Sequence, residues 1–230
     1  MPNPMIRRAL ASGMFDPPFR LVSQTLQPSA AAGIDTQLYK PVAFATSNYG
    51  IGAIINTGWL TAGPNDSHTR GLIKFAYTLP SDAINISAIL TLTRIGGAGT
   101  ESRNTSIHRS LVEWFEGEKN GAVPDVGQDA SVWSFRNYNG SVAWGAAGGQ
   151  SGVDYVATPT ATTAVEGNAA YDFDVTADVV HWKTNTNLGW WILGTIDGTN
   201  ATFKQFAASD NATAGNRPKL VITYKTRNPT

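Results

Sequence analysis

The chain has 230 residues, seven of them Trp and none Cys, and its 17 Lys and Arg equal its 17 Asp and Glu. That length is enough for one large domain with a substantial core. The balance of charge excludes a global field for nucleic acid or an anionic membrane, and the missing Cys excludes disulfides, thiolate metal sites and Cys nucleophiles.

Charged residues make up only 15%, below the usual quarter for a soluble domain. With many Gly, Thr and Asn and short β-branched runs, the composition reads as all-β with polar loops. Residues 1–33 are broken by Pro2, Pro4, Pro17, Pro18 and Pro28 and read as an extended arm. Its apolar and basic residues Ile6, Arg7, Arg8, Leu10, Met14, Phe15 and Phe19 are the candidate contacts to other subunits. Packing along its own domain is the alternative. The basic pair is followed by Asp16 and prolines rather than by an apolar run. No signal peptide or membrane span is therefore expected, and the product is expected to remain unprocessed in the cytoplasm where it is made.

The β-sandwich domain is expected over residues 34–225, with 226–230 as a tail. IDTQLYK is a first strand, and RGLIKFAY sets Ile73, Phe75 and Tyr77 at period two. INISAILTLTRI alternates Ile84, Ile86, Ala88, Leu90 and Leu92 against polar neighbours, the pattern of a half-buried strand. TSIHRSLVEW is a further strand, ended by EGEKNG. Residues 115–170 are Gly-rich and lack a period, so no strand is placed there. The order then runs through YDFDV, a short helix, LGWWILGTI, ATFKQFAAS and RPKLVITYK. Eight to ten strands and one short helix predict a two-sheet antiparallel β-sandwich of jelly-roll type.

Asp172, Asp174, Asp178 and His181 crowd into YDFDVTADVVHWKTN. Tyr171, Phe173 and Val175 face one way, which turns Asp172 and Asp174 outward. Thr176 then reads as an N-cap, with Asp178 in the first helical turn. Val175, Val179 and Trp182 form a helical apolar stripe. This architecture accounts for the carboxylates without chemistry.

Several stretches together resemble the disaggregatase-related (DNRLRE) domain family over about residues 31–225. They are AGIDTQLYK, SNYG, RGLIKFAYTLPSDAINISAILTLT, SLVEWFEG, FDVTADVVHW, LGWWIL and RPKLVITY, in the family's order. The resemblance implies a jelly-roll-like sandwich serving as a non-catalytic module of cell-surface, adhesive or polysaccharide-binding proteins.

His68, His108 and His181 are scattered, which gives no zinc spacing. Glycosidase chemistry needs two carboxylates across a cleft, which Glu113, Glu116 and Glu118 with Asp172 or Asp174 could in principle supply, but EWFEGEK reads first as a solvated strand end and turn. No G-x-S-x-G elbow or phosphate loop is present, so no enzyme is expected. In the Gly-rich region, Trp133, Phe135, Arg136, Tyr138 and Trp144 are the candidate glycan-binding residues, with Asn137 and Asn139 nearby. The competing reading has the same rings covering the sandwich. No cofactor is expected beyond a structural calcium ion at Asp35 and Asp174.

Two functions follow as expectations. The first is a structural component of a large assembly, a tailed-phage virion protein (decoration, collar or tail-associated), homo-oligomeric and anchored by residues 1–33, located in the virion. The alternative is a polysaccharide-binding or adhesive module at a cell surface or outside the cell.

Overall fold

The alternating apolar residues of INISAILTLTRI dictate the longest strand: Ala88, Leu90 and Leu92 are buried, and Ile89, Thr91 and Thr93 between them are partly exposed. In the computed structural model of the protein, which describes residues 19–29, 32–61, 67–99, 101–196 and 202–228, this strand organises the fold.

In chain order the strands are β1 Phe19–Leu26, β2 Ile34–Tyr39, β3 Ile54–Thr61, β4 Ser67–Lys74 and β5 Ile84–Gly97. They continue with β6 Arg103–Arg109, β7 Phe135–Asn137, β8 Val142–Ala143, β9 Ala161–Val165 and β10 Ala170–Asp174. The one α-helix among the described residues, α1 Thr176–His181, precedes β11 Trp190–Gly194, β12 Lys204–Ala207 and β13 Lys219–Arg227. Every ladder is antiparallel. One layer runs β1-β13-β5, with β10 also on β5; the other runs β3-β4-β11-β6-β9, with β2 also on β4. Between them β12 pairs with both β5 and β3, so one sheet curls over to form both faces of a β-sandwich. A jelly-roll-like all-β fold results.

Two cores occupy the two faces of the second layer. Ile73, Ile107, Trp190 and Ile192 point inward and meet Leu90, Leu92, Phe173, Leu220 and Ile222 of the first layer. Their strand neighbours Leu72 and Trp191 point outward, as the period of two requires, and join Leu38, Trp114, Trp133, Trp144 and Tyr155. The adjacent Trp190 and Trp191 are each fully buried, one in each core.

The aperiodic segment after β6 thus becomes a third layer, spread over the outer face of the second. Buried polar groups pin it. Asp154 accepts the Gly145 N–H (2.9 Å) and the Gln150 N–H (2.6 Å). Arg70 Nη1 donates to the carbonyls of Gly148 and Gly149, both at 2.7 Å. These two glycines have φ of 80° and 95°, and a β-carbon on either would lie 2.4 Å from the ring of Trp133 or Trp191. Only Gly lets the chain turn this close over the indoles. Asn48 ties on the remaining loops, donating to the carbonyls of Glu116 (2.6 Å) and Ser131 (3.1 Å).

Two boundaries and the strand count differ from the sequence expectation. The sheet begins at Phe19, inside the stretch read as an arm: β1 pairs with β13 along its whole length, and Val22 and Leu26 pack on the main core. At the other end β13 runs to Arg227, into the expected tail. The described residues hold 13 strands rather than eight to ten. Among the described residues, no helix is long and apolar enough to cross a membrane.

Candidate functional site

The four titratable groups of YDFDVTADVVHWKTN are parted by the fold. Asp172 and Asp174 lie exposed on β10. Asp172 accepts from Thr91 Oγ1 (2.6 Å), and Asp174 accepts the Thr176 N–H (2.9 Å) to start the helix. These hydrogen bonds from the Thr176 side chain and backbone hold Asp174 below the usual carboxylate range. Thr176 is not the N-cap; Val175 is, and the Thr176 hydroxyl accepts the Ala88 N–H (2.9 Å). Asp178 is buried and clamps three elements. Its Oδ2 accepts from Thr160 Oγ1 (2.6 Å) and Trp190 Nε1 (2.8 Å), and its Oδ1 lies 3.3 Å from Arg109 Nε. Every carboxylate here has a structural partner.

The calcium pair is not brought together. Asp35 is buried in β2, beside Glu116 and Ser209, whereas Asp174 is exposed at the end of β10 and occupied in starting the helix. Among the described residues, no three His, Cys, Asp or Glu side chains gather as a metal site. His108 is held apart from such chemistry: its Nδ1 contacts the Val156 carbonyl (2.8 Å) and its Nε2 contacts Ser106 Oγ (2.9 Å). Burial pushes its pKa down. Glu113, Glu116 and Glu118 belong to the outer loop layer, and Asp172 and Asp174 to the opposite layer of the sandwich, so they do not face one another across a cleft.

The five candidate glycan residues divide. Trp133 and Trp144 are 6% and 4% exposed and belong to the second core. Trp144 Nε1 donates to the Val132 carbonyl (2.8 Å), and its ring meets Trp191 edge to face at 4.9 Å. Their faces are covered, so stacking on a sugar is not open to them. Phe135, Arg136 and Tyr138 stay partly exposed on the β7–β8 hairpin, with Phe135 and Tyr138 edge to face at 6.2 Å. Asp129 Oδ1 receives the amides of Asn137 (2.8 Å) and Asn139 (3.0 Å), which hold its carboxyl below the usual range.

A second aromatic group adjoins this hairpin. Tyr39 contacts Phe44 edge to face (5.5 Å) and Tyr49 (6.0 Å); Phe44 is exposed and the two tyrosines partly so. The Ser134 N–H donates to the Ala45 carbonyl (3.0 Å), which places the residues after Phe44 and before Phe135 side by side. Two aromatic groups, Tyr39–Phe44–Tyr49 and Phe135–Tyr138, thus lie on adjoining loops, with Arg136, Asp129, Asn137 and Asn139 beside the second. Phe135, Arg136 and Tyr138 are legible in the sequence as candidates. Tyr39, Phe44 and Tyr49 carry no shared period, and the register of β2 with the following loops brings them together.

Of the arm candidates, Phe19 is the first residue of β1, opposite Arg227 and partly buried. Ile6, Arg7, Arg8, Leu10, Met14 and Phe15 lie outside the described residues. No family model and no curated protein matches the chain.

Proposed function

We propose that the protein is a non-catalytic carbohydrate-binding domain that takes a polysaccharide on the rim formed by Tyr39, Phe44, Tyr49, Phe135 and Tyr138. The observation that carries this reading is the pairing of partly exposed rings with preset polar groups on adjoining loops. Aromatic faces cover the apolar faces of sugars, and Arg, Asn and Asp can satisfy the hydroxyls around them. The resemblance to disaggregatase-related domains supports the same class of ligand. In a gel carrying polysaccharide, the double variant Phe44→Ala, Tyr138→Ala is expected to lose about thirtyfold in affinity, at roughly 1 kcal/mol per ring. Its melting temperature should stay close to that of the unaltered chain. Equal retardation of the two proteins would sink the assignment.

A second reading, a component of a large assembly such as a tailed-phage virion, is favoured by the place of β1. Residues 1–18 lead directly into this strand, which ends the strand order and pairs only with β13 among the described residues. Leu21 on it is 71% exposed. An edge of this kind offers backbone to another chain. Full-length protein should then sediment with particles from its native source, and a chain beginning at Phe19, which keeps β1, should not. If the shortened chain sediments equally, the anchor is not in residues 1–18.

A further inference from the structure

Two Asn-Gly pairs occur in the chain, Asn120-Gly121 and Asn139-Gly140. In both the Asn is exposed and the Gly has a positive φ, 85° and 76°. An asparagine before glycine can lose its amide without an enzyme: the main-chain nitrogen of the glycine attacks the side-chain carbonyl carbon, and the missing β-carbon leaves that approach open. The fold treats the two pairs differently.

Asn120-Gly121 is tied down. The Gly121 N–H donates to the carbonyl of the fully buried Asn48 (2.8 Å). Asn48 also accepts the Lys119 N–H on Oδ1 (3.0 Å) and donates its own N–H to the Ala122 carbonyl (2.9 Å). A β-carbon on Gly121 would lie 3.4 Å from the Tyr49 ring. Asn139 and Gly140 instead lie in the turn of the β7–β8 hairpin, a two-stranded sheet separate from the large one. So short a ladder is marginal by itself and opens at little cost. A β-carbon on Gly140 would meet no atom within 4 Å.

We propose that Asn139 is a site of spontaneous deamidation in the folded protein, and that Asn120 is protected from it. The Gly140 nitrogen, having given up its proton, bonds to Asn139 Cγ; the Cγ–Nδ2 bond breaks and ammonia leaves, closing a cyclic imide. Water then opens the ring at either carbonyl, which yields aspartate or isoaspartate. The consequence falls on Asp129, whose Oδ1 accepts from Asn139 Nδ2 (3.0 Å). A carboxylate at 139 can only accept, so that hydrogen bond is replaced by a repulsion between like charges. Isoaspartate also lengthens the main chain by one carbon, against the register that sets Asn137 opposite Val142. The modification loosens the polar group beside Phe135 and Tyr138.

The test holds the full chain at pH 8 and 37 °C, both folded and in urea, and maps its peptides by mass and retention. In the folded chain, acid at 139 is expected to outpace acid at 120 by about tenfold or more, because the Gly121 N–H must first be freed from Asn48. In urea the two sites should react at similar rates. Gly140→Ala, whose added methyl meets open space, should slow the reaction at 139 by about tenfold and leave 120 unchanged. The proposal fails if residue 139 stays an amide in the folded chain, or if residue 120 keeps pace with it there. An unslowed reaction in Gly140→Ala would equally overturn it, since the Gly140 nitrogen would not be the attacking group.

Discussion

Replacing Asp178 by Ala is expected to lower stability by about 3–5 kcal/mol, a fall in melting temperature on the order of 10 °C. The carboxylate is the acceptor for the indole N–H of Trp190 and the hydroxyl of Thr160, and it forms an ion pair with the guanidinium of Arg109. Trp190 is fully buried and packs edge to face on Trp182 at 4.7 Å. Removing Asp178 leaves the Trp190 indole donor without its acceptor and a mostly buried guanidinium without its counter-charge, and unsatisfied buried groups cost more than the interactions had gained. Asp178→Asn keeps one carbonyl oxygen and loses the charge, so its loss should fall to about half. Thermal unfolding measures both. A loss below about 1 kcal/mol for the Ala variant would mean that the clamp is not what seats the helix against β6 and β11.

The second large effect is a stability that falls as pH rises from 5 to 8. Desolvation pushes Asp35 up from 3.8 to about 7, opposed by its hydrogen bonds with Ser209 and reinforced by the charge of Asp210. Burial likewise raises Glu116 from 4.5 to about 7, with Asp35 and Asp210 adding to the rise. Between the unfolded and folded values the native state holds more protons than the unfolded chain. The stabilisation is therefore complete below about pH 4 and is lost as pH climbs through 7. For Asp35 alone the rise corresponds to on the order of 4 kcal/mol. His108 acts the other way: its depressed pKa favours unfolding below its usual 6.5. Comparison with Asp35→Asn separates the two. The amide keeps an acceptor for Ser209 and does not titrate, so the variant should be more stable than the unaltered chain at pH 8 and lose about half of the slope, with Glu116 carrying the rest. A flat or rising profile in the unaltered chain from pH 5 to 8 would contradict the burial of these two acids.

Where one face of a strand is buried and the other wet, the sequence is readable. The alternation of β5 and β10 carries their orientation, and Leu90, Leu92 and Phe173 fall in the core as that pattern demands. β3 is silent for the opposite reason: Ile55, Asn56, Thr57 and Trp59 are all buried, so no alternation marks it. β1 hides behind two prolines, and Leu21 on it faces solvent. The loop layer is invisible to period analysis because Asn48, Arg70 and Asp154 hold it through backbone carbonyls and amides rather than through a repeating apolar face. Trp133 and Trp144 therefore look like loop aromatics in the sequence and are core in the fold. The approach of Asp35 to Glu116 spans 81 residues. It depends on where the loop layer lands, which no local pattern encodes.

The most direct measurement of the carbohydrate-binding claim is hydrogen exchange on the full chain, with and without a polysaccharide that retards it. Added protection is expected to be confined to residues 39–51 and 134–139, with the strands of the first layer unchanged. Protection centred on β1 and β13, or no retained polysaccharide across a broad panel, would contradict it.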